Sequence, residues 1–264
     1  MAFLNYEYRM KLRYKEPVSK CYFTLKTIPA DDFRQTSLSY ELSMQPPAVY
    51  SESTDSFGNR QIYGCEDLQH NEFVYKIRGV VETRDGTVCC GVNESRAGMY
   101  KYPYGKCIPG ESINAFVSEL KKMISDDADS VEKCRMIMHE LHKRMKYVSG
   151  STGIETTAEE AFSLGRGVCQ DYAHIFICLL RAFAVPARYV CGFVLGEGQS
   201  HAWAEAACDG NYIAFDPTYD RMVNDEYIKI GVGRDAADCA LNRGIMWGGG
   251  LQTQEISVAV KKYY

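Results

Sequence analysis

The chain has 264 residues, 46% of them hydrophobic, which is enough to bury one large core or two small ones and is the composition of a soluble globular protein. A formal net charge of -4, with no basic block, gives no reason to expect nucleic acid or an anionic membrane as partner. Eleven irregularly spaced cysteines suit a reducing cytoplasm better than a disulfide framework.

Met1 to Glu7 lacks the charged start and apolar stretch of a leader, and no apolar run approaches the roughly 18 residues of a membrane span, so a cytoplasmic protein is expected. Residues 3–100 read mostly as strands. Phe3 to Leu12 is a strand candidate, and Cys21 to Lys26, Ser37 to Met44 and Phe73 to Val81 alternate at period two. Asp55-Ser56-Phe57-Gly58-Asn59-Arg60 reads as a turn and Asp85-Gly86 as a hairpin tip. Short strands divided by turn signals predict a sandwich-like β domain over 1–100. Segment 101–112, with Tyr-Pro-Tyr-Gly and Ile-Pro-Gly, reads as a linker, and 113–264 as a second domain.

Ile113 to Met123 is predicted to be helical. Val131, Cys134, Met138, Leu141 and Met145 then recur at helical spacing behind Ser130, the expected N-cap. His139, Glu140 and His142 share that helix, but the zinc-protease pattern needs histidines four apart, so these read as solvated surface histidines. No Cys-x-x-Cys occurs, Cys89 and Cys90 are adjacent, and neither metal nor cofactor is expected. Thr157-Ala158-Glu159-Glu160 is a capping box for a short helix ended by Gly165.

Gly165-Arg166-Gly167-Val168-Cys169 forms a glycine-bracketed turn. From Tyr172 to Phe183 the apolar residues fall nearly all round a helical wheel, predicting a buried central helix that Pro186 ends. Cys169 stands at its start. Free N–H groups and the macrodipole there favour a thiolate, the nucleophilic form of cysteine, and can hold an oxyanion. Farther on, the strand-like runs 201–208 and 211–216 flank Asp209-Gly210, a two-residue hairpin signal. Counting from the turn, 208 faces 211 and 203 faces 216, so His201 lies diagonally beside Asp216. An aspartate on a histidine ring N–H fixes the tautomer and steadies the imidazolium. Cysteine, histidine and aspartate are what thiolate-based acyl transfer needs.

Gly-Val-Cys-Gln-Asp-Tyr-Ala-His (167–174), His-Ala-Trp-Ala-Glu (201–205) and Phe-Asp-Pro-Thr (215–218), in that order, resemble the transglutaminase-like superfamily, closely over about 155–220. The Asp-Ser-Phe-Gly-Asn turn (55–59) is similar to the N-terminal β region that precedes the core in bacterial transglutaminase-like proteins. These relatives also carry a Gly-Arg-Asp stretch like 233–235. The resemblance implies an α+β fold: a papain-like, transglutaminase-like core with its cysteine-bearing helix on an antiparallel sheet, preceded by a β-sandwich-like domain. It implies Cys169 as nucleophile, His201 as general base and acid, and Asp216 as orienting group.

The expected reaction is hydrolysis of a peptide or small amide through a thioester, which water resolves; the resemblance to bacterial transglutaminase-like cysteine proteases points the same way. Transfer to an amine acceptor is the alternative, and a non-catalytic peptide-binding module is a second one. The backbone N–H of Cys169 is one expected oxyanion donor, and Gln170 or the Tyr147 hydroxyl the other. Tyr172 and Trp203 are candidates to shape the cleft. The charged, glycine-dense stretch 231–250 reads as an irregular loop, with Gln252 to Tyr263 a closing strand of the second domain.

Overall fold

The computed structural model describes residues 1–125 and 127–263. It opens with a strand of 24 residues, β1 (Ala2–Leu25), several times the usual length. Burial follows the two-residue period in two phases. Leu4, Tyr6, Tyr8, Met10 and Val18 point inward along its first stretch, and Cys21, Phe23 and Leu25 along its last. The phase changes where the ladder register shifts between Val18 and Lys20, just beyond Pro17, which has no N–H to give a ladder.

Four strands follow: β2 (Gln35–Gln45), β3 (Val49–Thr54), β4 (Arg60–Glu66) and β5 (His70–Thr83). β5 pairs antiparallel with the first stretch of β1 and carries β2 on its other edge. β4 pairs with the last stretch and carries β3. One continuous strand therefore belongs to two arms of a sheet folded over on itself, and the Phe23 and Phe73 rings meet between the arms at 5.4 Å. This is the sandwich-like β layer expected of the N-terminal region.

The next strand, β6 (Val88–Gly91), leaves this layer and joins the second sheet. After it come α1 (Glu111–Met123) and α2 (Ser130–Arg144). Ile113, Phe116, Val117 and Leu120 form the buried stripe of α1. The N-cap of α2 is Asp129, not Ser130: the Asp129 carboxylate accepts from the N–H groups of Val131 and Glu132, while the Ser130 hydroxyl donates to Asp209 Oδ2 at 2.8 Å. Both are good caps, and the tertiary bond to Asp209 decides between them. Two short strands, β7 (Lys146–Tyr147) and β8 (Arg166–Gly167), form a parallel ladder on either side of α3 (Ala158–Leu164). Helix α3 carries the Thr157–Glu160 capping box and ends at Gly165 with φ 63°.

Helix α4 (Cys169–Ala182) is buried continuously from Asp171 to Arg181. It packs on a sheet built from β9 (Ala187–Val194), β11 (His201–Cys208), β12 (Asn211–Asp216), β13 (Arg221–Met222) and β14 (Tyr227–Gly233), in the order β13-β12-β11-β9-β14; the short β10 (Gly196–Gly198) lies between β9 and β11 in the chain. This antiparallel sheet under a cysteine-bearing helix is the papain-like, transglutaminase-like core. No helix among the described residues is long and apolar enough to cross a membrane.

The chain ends with β15 (Asn242–Gly248) and β16 (Gln252–Lys262), so part of the stretch expected to be an irregular loop is strand. Neither closes the core sheet. β16 pairs with β1 from Leu4↔Lys262 to Tyr14↔Gln252, and β15 pairs with it from Val18↔Gly248 to Leu25↔Asn242. Across the expected division at 100 and 113–264, whose last residue lies outside the described ones, 88–91 pair into the core sheet and 196–198 and 242–262 into the sheet of β1. Alternation tells which face of a strand is buried, not which open edge it joins.

A buried ion cluster locks the two layers together. Lys229 on β14 donates to Glu205 at 2.9 Å and also pairs with Asp32 from the N-terminal layer; Arg188 Nε meets the other Glu205 oxygen at 2.7 Å. The 55–59 turn docks beside it, with the Asn59 side chain bonded to both the N–H and the C=O of Val232.

Candidate active site

The turn before α4 is held from within. The Asp171 carboxylate reaches back to the Val168 N–H at 2.8 Å and accepts from the Thr152 hydroxyl at 2.6 Å. Gly167 must lack a side chain, because a Cβ there would lie 2.6 Å from Asp171 Oδ2. Burial raises the Asp171 pKa, against these hydrogen bonds. Cys169 is thereby fixed as the first residue of α4, partly exposed, beside the N–H groups that an α-helix leaves unpaired at its start.

His201 opens β11 and Asp216 closes β12. Their ladder runs from Cys208↔Asn211 to Ala204↔Phe215, so Asp216 comes one step beyond, level with Trp203 and on the face shared by His201. His201 Nε2 lies 2.7 Å from Asp216 Oδ2. Asp216 is fully buried and accepts two further bonds, from the Tyr227 hydroxyl to Oδ2 at 2.8 Å and from the Thr218 N–H to Oδ1 at 2.9 Å. With Nε2 committed to Asp216, Nδ1 is the ring nitrogen left for Cys169, which is near enough to act on the His201 pKa. Burial opposes charge on the His201 ring, but the bond to Asp216 and the nearby Cys169 outweigh it and raise its pKa to about 9.

Three neighbours of this histidine carry no sequence signal. Tyr219, 55% exposed, stacks on the His201 ring at 5.2 Å. The Arg221 guanidinium sits 5.1 Å from both the Tyr219 and the Tyr227 rings and donates through Nε to the Tyr227 hydroxyl at 2.8 Å. They reach His201 from a turn, a two-residue strand and a distant strand, and no periodicity connects these.

Of the other anticipated residues, Tyr147 is 57% exposed, and its pKa is raised by burial and then by the proximity of Cys169. Gln170 is partly exposed and follows Cys169 on α4. Tyr172 and Trp203 are each 1% exposed and do not form the wall of a cleft. Tyr172 packs on the His142 ring at 6.3 Å, and Trp203 lies behind the site, edge-on to Tyr227 at 5.4 Å. Their apolar rings are worth more buried than exposed.

His139 and His142 are not merely solvated. His139 Nδ1 is 2.6 Å from Asp220 Oδ2 and His142 Nδ1 is 3.2 Å from the Pro217 carbonyl, so α2 holds both ends of the turn that presents Tyr219. The Gly-Arg-Asp stretch lies against the buried side of α4: Arg234 pairs with Asp238 at 2.8 Å, its carbonyl accepts from Arg181, and the Ala236 N–H donates to His174 Nε2 at 3.1 Å.

A family model described as transglutaminase-like superfamily matches residues 118–217, and one described as bacterial transglutaminase-like N-terminal region matches 4–82. An uncharacterized protein of Mycobacterium leprae (strain TN) is 32% identical over 160 residues, 57% of this chain and 57% of that protein, so the match spans little more than half of that relative's length. An uncharacterized protein of Mycobacterium tuberculosis (strain ATCC 25618 / H37Rv) is 28% identical over 274 residues, covering 91% of this chain and 86% of its own. The crystal structure of a "Putative Cysteine Protease" from Cytophaga hutchinsonii shares the fold, with a TM-score of 0.80 at 23% identity over 99% of this chain and 90% of that one.

Proposed function

The chain belongs to the transglutaminase-like superfamily, with a bacterial transglutaminase-like N-terminal region ahead of the core, and on that premise we propose that it is a thiol-dependent acyl-transfer enzyme that hydrolyses a peptide or small amide. One observation carries the proposal: a thiol at a helix start stands near a histidine whose Nε2 is bonded to a buried aspartate. Cys169 passes its proton to His201, and the thiolate attacks the carbonyl carbon. The oxyanion of the tetrahedral intermediate is held by the Cys169 N–H, with Gln170 or the Tyr147 hydroxyl as second donor. His201 then protonates the leaving amine, which departs as the thioester forms. Water, deprotonated by His201, attacks the thioester and returns the thiol.

Water is preferred over an amine as acceptor because Tyr147 and Tyr219, two aromatic residues near the thiol, are both more than half exposed, and amine transfer needs a thioester shielded from water. Eleven free thiols support a cytoplasmic setting.

The test is mass spectrometry of a glutamine-containing peptide library incubated with the protein and a labelled primary amine. Chain cleavage or deamidation that disappears in Cys169→Ala is the expected result. Stable amine incorporation instead would make it a transglutaminase, and no change in any peptide, with Cys169 alkylated no faster than the other cysteines, would leave only a binding module.

A further inference from the structure

Asp216 Oδ2 receives two donors at once, His201 Nε2 at 2.7 Å and the Tyr227 hydroxyl at 2.8 Å, and the Tyr227 oxygen in turn accepts from Arg221 Nε at 2.8 Å. We infer that Tyr227, backed by Arg221, is a positioning residue that fixes the Asp216 carboxylate and takes up part of its charge, so that His201 is oriented without being locked as an imidazolium. The inference rests on the proposed acyl-transfer reading and deepens it.

The geometry favours this role over simple packing. Tyr227 is 2% exposed, and Asp216 is fully buried, so the shared oxygen has no water to spread its charge into; bonds to a buried ionised group are among the strongest in a protein. The Thr218 N–H occupies the other oxygen, which leaves the carboxylate no freedom to turn. Arg221 is itself held between the Tyr219 and Tyr227 rings, so its Nε–H is aimed at the hydroxyl and turns the Tyr227 proton toward Asp216. The chain of donors runs Arg221, Tyr227, Asp216, with His201 meeting the same oxygen from the other side.

A general acid must give its proton up. A histidine facing the undivided charge of a buried aspartate would hold it too tightly, and a second donor on that oxygen weakens the hold. The titratable and charged groups around the pair are Cys169 from α4, Asp216 from β12, Tyr219 from the following turn, Arg221 from β13, Tyr227 from β14 and Tyr147 near the thiol.

The experiment needs no known substrate. The rate of iodoacetamide alkylation at Cys169 is measured by mass spectrometry from pH 5 to 10 in the whole protein and in Tyr227→Phe, which keeps the ring on Trp203 and removes only the hydroxyl. The upper limb of the profile reports loss of the His201 proton. In Tyr227→Phe it is expected to move upward by about half a pH unit, the size of one modest hydrogen bond. Arg221→Gln, at a partly exposed position, is expected to move it in the same direction by less, which guards against a packing defect in the first variant. Profiles that overlay the unaltered protein's in both variants would overturn the inference while leaving the enzyme reading intact. A protein whose Cys169 shows no fast alkylation at all would instead remove the reading beneath it.

Discussion

His201 and Asp216 touch at 2.7 Å although they are 15 residues apart and are not cross-strand partners. They meet diagonally at the open end of a hairpin, where the ladder has stopped and side chains can lean along the strand direction. The α4 N-terminus delivers Cys169 to that same end. Helix and hairpin are therefore the two rigid bodies that any productive geometry depends on.

Asp216→Asn keeps the shape of the side chain but removes its charge. Thiol-dependent turnover should fall by about 10²–10⁴-fold, as expected for loss of the group that sets the histidine tautomer. The His201 pKa, raised to about 9 in part by this bond, should drop, which NMR titration of the ring would read. Full activity in this variant would exclude an orienting role for Asp216.

Tyr219 covers one face of the His201 ring and rides on a turn that His139 and His142 secure. Tyr219→Phe should behave as the unaltered protein. Tyr219→Ala should slow turnover by about tenfold and cost about 0.5–1.5 kcal/mol, the worth of an aromatic contact. Equal rates in both variants would mean the stacking has no bearing on the site.

Glu205 lies in the His-Ala-Trp-Ala-Glu run but is not at the reacting end. Its oxygens hold Lys229 and Arg188 in the interior. Glu205→Ala strips Arg188 of its carboxylate and leaves Lys229 with Asp32 alone, so urea denaturation should show a loss of about 3–5 kcal/mol. A loss below about 1 kcal/mol would mean water reaches the cluster.

Two histidines should shape stability against pH in opposite ways. Burial lowers the His174 pKa from 6.5 to about 3, with Lys106 and Arg181 adding to it. The unfolded chain therefore binds the extra proton, and stability falls as pH drops from 6.5 toward 3, by about 1.4 kcal/mol per unit. His201 is raised to about 9, so its contribution is full below 6.5 and is lost as pH climbs to 9. Burial opposes ionisation of Glu205, but Arg188 and Lys229 hold its pKa at about 2, which steepens the acid side below pH 4.5. Urea midpoints should peak near pH 6.5, and His174→Gln should flatten the slope between 5 and 6.5. An unchanged slope in that variant would contradict the assignment to His174.

Much of what lies within a few residues' reach was legible in the sequence, though not the choice of Asp129 over Ser130 as the α2 cap. The Asp209-Gly210 turn set the β11–β12 register and so the His201–Asp216 diagonal. The glycine-bracketed turn and the apolar run put Cys169 at the start of a buried helix, and the Thr157–Glu160 box opened α3. These follow from turn chemistry and from the periods of strand and helix, which act locally. Only the tertiary structure decided that 242–262 returns to β1 rather than closing the core, because alternation does not name a partner edge. It alone buried Tyr172 and Trp203, whose rings gain more from packing than from a cleft, and gathered Tyr219, Arg221 and Tyr227 around His201. Those contacts join segments with no shared period, and their geometry exists only once the helix and both sheets have packed.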